Sequence, residues 1–316
     1  MITRNHCRTA AVFVASTMLA TACSPPSGAP HASVAPVPSA TGAVNRAPVS
    51  IATHTVTVAG VGAVEVTVSE RGAGRTFLVL HGGAGPISVA GFADLLGASH
   101  DARVLTPTHP GFGGTPRPDA LKNVADLAAV YVALLDQLDL HDVTVVGNSI
   151  GGWIATEIAL RHSPRVTSLV LVDATGIIVE GHPVADPFSM SLGELMTRSY
   201  YNPDAFRIDP SKLPEAQRKA MAANRAALAV YGGNPSVGDP TLRGRLAQVT
   251  VPTLVLWGEA DRIGDPTYGR AYAAAIPRAR FQLLARAGHV PQIECPEQVR
   301  LALRDFASAH ATDHAR

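Results

Sequence analysis

A serine between two glycines has the setting in this chain that best suits nucleophilic chemistry. Gly147–Gly151 reads Gly-Asn-Ser-Ile-Gly, follows the apolar run Val143–Val146 and precedes the helix-like stretch Gly152–Leu160. A strand-to-helix turn this sharp lifts the hydroxyl of Ser149 clear of the sheet and aims the N–H of Ile150 at the same space. The pattern predicts a nucleophile with an adjacent oxyanion donor; the alternative is a turn of small residues without chemistry.

A serine hydroxyl needs a base, because it is a poor nucleophile near neutral pH. Of the twelve histidines, His289 is the one that follows the last predicted strand in a short Gly-His turn, in the segment Ala287–Pro291. Gly288 permits a tight loop that returns the imidazole over the sheet. We therefore predict His289 as the base, the alternative being an ordinary loop histidine.

The base in turn needs an acid that fixes its tautomer and stabilises its charge. Asp261 lies just past the apolar run Thr253–Trp257 and before His289, which gives the chain order serine, acid, histidine. Three other acidic residues near strand ends are rivals for this role: Glu259, Asp265 and Asp173. Position and chain order favour Asp261.

A glycine-rich loop, Leu80–Pro86, follows another apolar run and could supply a second oxyanion donor. The predicted pair of N–H groups is that of Gly83 and that of Ile150, with Ala84 as the alternative to Gly83. No G-K-[ST] sequence follows the loop, which disfavours phosphate binding. A loop without any ligand is the remaining alternative, and we expect neither a metal nor a cofactor.

Short apolar strands alternate with helices along most of the chain, which predicts an α/β fold with a mostly parallel central sheet and helices on both faces. The expected opening hairpin comprises residues 55–58 and 64–69. The expected strands that follow are 76–80, 102–106, 143–146, 166–172, 253–257 and 280–284, and the most periodic helices are 124–140 and 296–307.

The segment 177–250 interrupts this alternation, since it contains helix-like pieces at 192–201 and 214–231 but no convincing strand. We interpret it as a helical cap inserted between two parts of the core, 51–176 and 251–310; the alternative is a set of ordinary surface helices. Its apolar and aromatic side chains predict a pocket facing Ser149, and these are Met190, Met196, Tyr200, Tyr201, Phe206, Met221 and Tyr231.

The N-terminus predicts export rather than a folded element. Residues 1–22 combine a positive start with an apolar stretch too short to span a bilayer, as in a signal peptide. Small residues directly before Cys23 resemble the bacterial lipobox, in which the cysteine is lipidated. Residues 23–50 are rich in Pro, Ala and Ser and predict a flexible tether. The expected location is extracytoplasmic, either lipid-anchored to the bacterial cell membrane or simply secreted.

Composition sets the remaining limits. The 316 residues are 47% hydrophobic and 16% charged, which suits a large folded core. A net charge of +1 with dispersed Lys and Arg argues against a nucleic-acid partner and leaves a small-molecule substrate. Cys7 lies in the signal peptide, so lipidation of Cys23 would leave Cys295 without a disulfide partner.

Five motifs occur in an order that resembles the α/β-hydrolase superfamily across about Thr55 to His310: His81-Gly82-Gly83, Pro110-Gly111-Phe112-Gly113, Gly147 to Gly152, Gly258-Glu259-Ala260-Asp261 and Gly288-His289. The resemblance implies the fold and a catalytic triad of Ser149, Asp261 and His289. It does not identify the substrate, because this superfamily cleaves esters, amides, epoxides, haloalkanes and carbon–carbon bonds.

Two details narrow the expected chemistry. Epoxide hydrolases and haloalkane dehalogenases carry aspartate at the nucleophile position, where this chain has Ser149. The cap and glycine motifs are similar to those of meta-cleavage-product carbon–carbon hydrolases, but those usually have Trp where this chain has Val290. We therefore expect an esterase acting on a small or medium apolar ester. The alternatives are a carbon–carbon hydrolase, a cofactor-free perhydrolase or acyltransferase, and a non-catalytic ligand-binding lipoprotein.

Overall fold

The computed structural model describes residues 48–99, 101–233 and 238–311. The predicted signal peptide, Cys23 and nearly all of the predicted tether lie outside these ranges. None of the helices within them is both long and apolar enough to cross a membrane.

The chain forms an eight-stranded sheet in the order β1-β2-β4-β3-β5-β6-β7-β8. Strand β1 is antiparallel to β2, and β2 is antiparallel to β4, while the other neighbours are parallel. The mostly parallel sheet is confirmed. The strands are β1 Val49–Val58, β2 Gly62–Gly72, β3 Arg75–Leu80, β4 Ala102–Pro107, β5 Val143–Asn148, β6 Val166–Val172, β7 Thr253–Gly258 and β8 Ala279–Leu284.

Helices cover both faces of this sheet. Alternate side chains of β3 enter opposite layers, because successive residues of a strand point to opposite sides. Phe77 belongs to the layer that contains Phe306, whereas Leu78 belongs to the layer that contains Tyr131. The described α-helices are α1 Ile87–Gly97, α2 Val124–Gln137, α3 Ile150–Ala159, α4 Leu192–Ser199, α5 Glu215–Gly232, α6 Leu242–Arg245, α7 Pro266–Ala274, α8 Pro291–Glu294 and α9 Pro296–Ala311.

Local signals explain where helix α2 begins and ends. Asn123 accepts a hydrogen bond from the N–H of Asp126, and the Asp126 carboxylate accepts one from the N–H of Asn123, so a capping box starts the helix. At the other end Asp139 has a φ of 48°, which stops the helix at Gln137 rather than at residue 140 as predicted.

The segment predicted as a cap is helical. Its described residues contain α4, α5 and α6 with short 3-10 turns, and an isolated bridge between Gly176 and Gly238 is their only β-type pairing. Helix α4 begins with a capping box of Ser191 and Glu194. Strand β1 begins at Val49, so the sheet includes the last two residues of the segment predicted as a tether.

Candidate active site

Ser149 sits on a strained turn between β5 and α3. Its backbone has φ 55° and ψ −122°, a conformation that a serine adopts only when its surroundings enforce it. The Ser149 N–H donates to the carbonyl of Val172, and the Ser149 carbonyl accepts from the N–H groups of Gly152 and Thr175. A β-carbon on Gly147 would overlap the carbonyl of Gly151, so only glycine allows the chain to turn here. The predicted elbow is therefore present.

The glycine-rich loop after β3 lies beside this serine. A β-carbon on Gly82 would lie 3.2 Å from the Ser149 Cβ, which shows how closely the loop approaches. The Gly85 N–H donates to the Gly82 carbonyl at 3.0 Å and closes a turn around Gly83. Ile150 is the first residue of α3, where N–H groups have no acceptor within the helix. The two predicted oxyanion donors thus belong to segments that meet at Ser149.

His289 and Asp261 are hydrogen-bonded to each other. The distance from His289 Nδ1 to Asp261 Oδ2 is 2.9 Å, and both side chains are buried. The other oxygen of Asp261 accepts from the N–H groups of Ile263 and Gly264, at 2.8 and 3.3 Å. Since a carboxylate can only accept, Nδ1 carries the proton and Nε2 is the ring nitrogen left to act as a base.

Asn148 ties the serine turn to the histidine loop. Its Nδ2 donates to the carbonyls of Val172 and His289, at 3.1 and 2.9 Å, and its Oδ1 accepts from Gln292 Nε2 at 3.1 Å. The residue before Ser149 therefore fixes the backbone of the predicted base. No sequence pattern indicates this role of Asn148, because its partner His289 is far away in the chain.

Two of the three rival acids have other partners. Glu259 accepts from the N–H of Arg286, and Asp265 caps α7 while bonding His182 at 2.6 Å. Asp173 is different, because it is buried next to Asp261 and accepts from the Gly258 N–H at 2.9 Å. Burial, followed by the charge of Asp261, raises the pKa of Asp173 well above its usual value.

Among the described residues, one group of side chains could hold a metal ion, and it is that of Asp173, Asp261 and His289. One nitrogen or oxygen atom from each of Asp173, Asp261 and His289 lies within 4.8 Å of the others. However, His289 and Asp261 bond directly to each other rather than turning toward a common centre. Their arrangement suits an acid–base pair better than a set of metal ligands.

Two histidines with closely spaced, tilted rings support the glycine-rich loop. The rings of His81 and His109 are 3.7 Å apart and buried. His81 Nδ1 donates to the Gly82 carbonyl at 2.8 Å, and His81 Nε2 accepts from the His109 N–H at 3.1 Å. His109 Nε2 donates to the His81 carbonyl at 3.0 Å, and His109 Nδ1 accepts from the Tyr131 hydroxyl. This network requires both rings to be neutral.

Burial agrees with that requirement. It lowers the pKa of His81 from 6.5 to about 4 and holds the pKa of His109 well below its usual value. The unfolded chain therefore binds more protons than the folded chain between pH 6.5 and about 4, and stability is lost as the pH falls through this window. For His81 alone the loss is about 3 kcal/mol.

We expect His81→Asn to weaken this acid sensitivity, because asparagine does not titrate. Urea unfolding at pH 7.5 and pH 4.5 measures it: the variant starts less stable, and its free energy of unfolding falls less on acidification. The control is His162→Asn, at an exposed histidine whose φ is 51°. Its free energy of unfolding should fall on acidification as much as that of the wild type. An undiminished decrease in His81→Asn would contradict the assignment.

Helix α5 lies over the glycine-rich loop. Asn224 Nδ2 donates to the Ala84 carbonyl at 2.8 Å, and Asn224 Oδ1 accepts from the Gly113 N–H at 2.7 Å. A β-carbon on Gly83 would lie 2.9 Å from Leu228 Cδ2, and the Tyr231 hydroxyl donates to the Pro110 carbonyl. The α5 face above the site is therefore uncharged.

The residues predicted to line the pocket lie in different surroundings. Tyr231 lies on this face, but Tyr200 and Phe206 stack on each other with ring centres 4.8 Å apart, and Tyr201 is 48% exposed. Asn224 and Leu228 do contact the loop and were missed, because nothing in the sequence distinguishes one face of α5 from another.

Cys295 is a half-buried free cysteine. Burial raises its pKa to about 11, with Glu294 contributing, so the reactive thiolate is scarce near neutral pH.

The comparisons with known proteins point to one family. A sequence model described as the alpha/beta hydrolase family matches residues 77–302. The 2-hydroxy-6-oxononadienedioate/2-hydroxy-6-oxononatrienedioate hydrolase of Cupriavidus pinatubonensis is 30% identical, covering 73% of this chain and 86% of that protein. Lipase 3 of a Moraxella strain is 27% identical, covering 70% of this chain and 73% of that protein.

Solved structures agree on the fold. A thermophilic esterase from Thermogutta terrifontis has a TM-score of 0.66 and 24% identity, covering 82% of this chain and 99% of that one. A meta-cleavage product hydrolase from Pseudomonas fluorescens has a TM-score of 0.63 and 20% identity, covering 81% and 97%. At these identities the likeness concerns the fold, which is shared by proteins that cleave different bonds.

Proposed function

Because the chain belongs to the alpha/beta hydrolase family, we propose that it is a serine hydrolase of small or medium apolar carboxylic esters. Ser149 is the nucleophile, His289 the general base and Asp261 the supporting acid. The observation that carries the proposal is the buried 2.9 Å hydrogen bond between His289 and Asp261. The side chain of Asn148, the neighbour of Ser149, donates to the backbone carbonyl of His289 and so holds the histidine loop in place.

In the first half of the reaction, His289 Nε2 takes the Ser149 proton as the Ser149 oxygen attacks the ester carbonyl. The carbonyl π bond opens and leaves an oxyanion, which the N–H groups of Gly83 and Ile150 stabilise. Asp261 stabilises the imidazolium through Nδ1. His289 then gives its proton to the departing alcohol oxygen, and the acyl group remains on Ser149.

In the second half, water replaces the alcohol. His289 removes a proton from the water, whose oxygen attacks the acyl carbonyl. The tetrahedral intermediate collapses, the Ser149 oxygen recovers the proton from His289, and the carboxylic acid leaves. The protein is then in its starting state.

The cap supports an uncharged substrate. The α5 residues above the glycine-rich loop, Asn224, Leu228 and Tyr231, carry no charge. Arg225, the cation that follows Asn224 on α5, is engaged elsewhere, because it donates to the carbonyls of Pro187 and Phe188, at 2.9 and 2.7 Å. A neutral surface suits an apolar ester, because a charged substrate would lose hydration there without a partner.

A carbon–carbon hydrolase is the second candidate, favoured by the name of the Cupriavidus relative. That relative is named for a dioate, which a site of this kind would hold through cations. The uncharged α5 face is the observation that favours ester cleavage as our proposal.

A panel of neutral p-nitrophenyl esters with rising acyl length tests the proposal, beside a dicarboxylate meta-cleavage product. We expect kcat/KM to be greatest on a short or medium neutral ester and the dicarboxylate to be a poor substrate. Preferred cleavage of the dicarboxylate would favour the second candidate, and preferred transfer to added alcohol or peroxide would indicate an acyltransferase or perhydrolase.

We propose in addition that the mature protein is exported and tethered through a lipid on Cys23. The signal-like pattern of residues 1–22 and the length of the segment before β1 support this. Mass spectrometry of the mature N-terminus tests it. A lipid adduct on Cys23 that Cys23→Ala abolishes is expected, whereas a free N-terminus near residue 23 would indicate simple secretion.

A further inference from the structure

Asp173 is a buried carboxyl that the proposed reaction does not use. It follows β6, the strand next to β7, so it emerges at the same edge of the sheet as Asp261. Its side chain is inaccessible to solvent, and its backbone has a φ of 46°. A carboxyl held in this way beside the proposed triad needs an explanation, because burying a charge without a partner is strongly unfavourable.

The two neighbouring carboxyls differ in what they bond. Asp173 Oδ1 accepts from one backbone N–H, that of Gly258, and Asp173 Oδ2 has no hydrogen-bond partner among the described residues. Asp261 accepts from the N–H groups of Ile263 and Gly264 and from His289 Nδ1. Hydrogen-bond donors stabilise a negative charge, so Asp261 is much better equipped to hold one.

Asp173 and Asp261 are too close to each other for both to carry a negative charge. One side-chain oxygen of Asp173, one of Asp261 and a ring nitrogen of His289 all lie within 4.8 Å of one another. Two carboxylates this close in a buried site repel each other too strongly for both to ionise.

We propose that Asp173 and Asp261 share a single negative charge, so that Asp173 keeps its proton while Asp261 supports His289, and Asp173 becomes the anion beside His289 when Asp261 is neutralised. Asp173 is then a positioning residue in the native site. The inference rests on the proposed function for the role of His289, but the charge state of the pair is independent of catalysis.

The other ionisable groups around Asp173 also favour its protonated form. Glu294, on α8, accepts from the N–H groups of Gly288 and Tyr201 and adds a further negative charge that raises the pKa of Asp173. Cys295, half-buried next to Glu294, is a thiol whose pKa burial raises to about 11, so it offers Asp173 no positive charge. No cation among the described residues bonds to Asp173.

The first test is the pH dependence of stability in Asp173→Asn. The unfolded chain releases the Asp173 proton near the usual pKa of 3.8, whereas the folded chain keeps it until its raised pKa is reached. Wild-type stability therefore declines between these two values as the pH rises, and asparagine removes this decline. We expect the melting temperature of Asp173→Asn, relative to wild type, to increase from pH 4.5 to pH 8.

Asp119→Asn is the matched control, because its side chain is fully exposed, and its melting temperature should follow that of the wild type at both pH values. If Asp173 were an ionised group with a stabilising partner, Asp173→Asn would instead lose stability as the pH rises. A flat or falling difference would overturn the proposal.

The second test is kinetic. In Asp261→Asn, Asp173 is expected to take up the negative charge and hold the imidazolium of His289. This single variant should therefore keep a kcat/KM at least tenfold above that of Asp261→Asn/Asp173→Asn. Equal values for the two would overturn the proposal. Full activity of Ser149→Ala would instead refute the proposed function, and the melting experiment would still decide the charge state.

Discussion

Ser149→Ala should lower kcat on the best neutral ester by about 10⁵- to 10⁶-fold, the loss typical when a triad nucleophile is removed. Without the hydroxyl there is no group to attack the carbonyl, and His289 has no proton to remove. The fold should survive, because the hydrogen bonds of Ser149 to Val172, Gly152 and Thr175 are all made by its backbone. The measurement is kcat by stopped or continuous p-nitrophenol release, with the melting temperature as a check on folding.

Ser189→Ala is the matched control, since Ser189 is exposed on the cap segment and bonds only to a nearby carbonyl, that of Asp186. It should keep wild-type kcat. Ester hydrolysis by Ser149→Ala at more than about one per cent of the wild-type rate would mean that another group carries the reaction.

Gly147→Ala should strongly destabilise the protein. Its β-carbon would overlap the Gly151 carbonyl, and both overlapping groups belong to the backbone, so no side-chain rotation relieves the clash. The strand-to-helix turn would have to open, which displaces Ser149 and the start of α3. We expect a loss of more than about 4 kcal/mol in the free energy of unfolding, the range that steric disruption of a core produces.

The same change at Gly91 should act in the opposite direction. Gly91 lies inside α1, and a β-carbon there meets nothing within 4 Å. Alanine in a helix interior is favoured over glycine by up to about 1 kcal/mol, so Gly91→Ala should stabilise the protein slightly. Urea unfolding of both variants gives the comparison. Equal stabilities would show that the Gly147 turn is more adaptable than its geometry indicates.

The sequence predicted most strands well because most of them are short runs of apolar residues bounded by turn residues. Val166–Val172 matches its predicted bounds, and β7 and β8 differ from theirs by one residue. The pairing of Asp261 with His289 could be predicted from the order of the strands. Parallel strands end at one edge of the sheet, so residues that follow their strands meet there.

Contacts between residues distant in the chain could not be predicted in this way. Asn148 reaches His289, and Asn224 reaches Ala84, through side-chain hydrogen bonds that leave no periodicity or spacing in the sequence. The side chains of α5 that contact the glycine-rich loop could not be predicted either, because hydrophobic composition identifies a cap but not which helix face covers the site. The choice between Asp261 and Asp173 as the charged acid likewise depends on backbone donors that only the folded loops provide.

The most direct test of the proposed catalytic site is labelling with a fluorophosphonate, followed by mass spectrometry of the peptides. We expect one phosphonylated residue, Ser149, in the wild-type protein. We also expect labelling to be nearly lost in His289→Ala, because the base that activates the hydroxyl is missing. Failure of the wild-type protein to react, or an adduct on a residue other than Ser149, would contradict the proposed catalytic site.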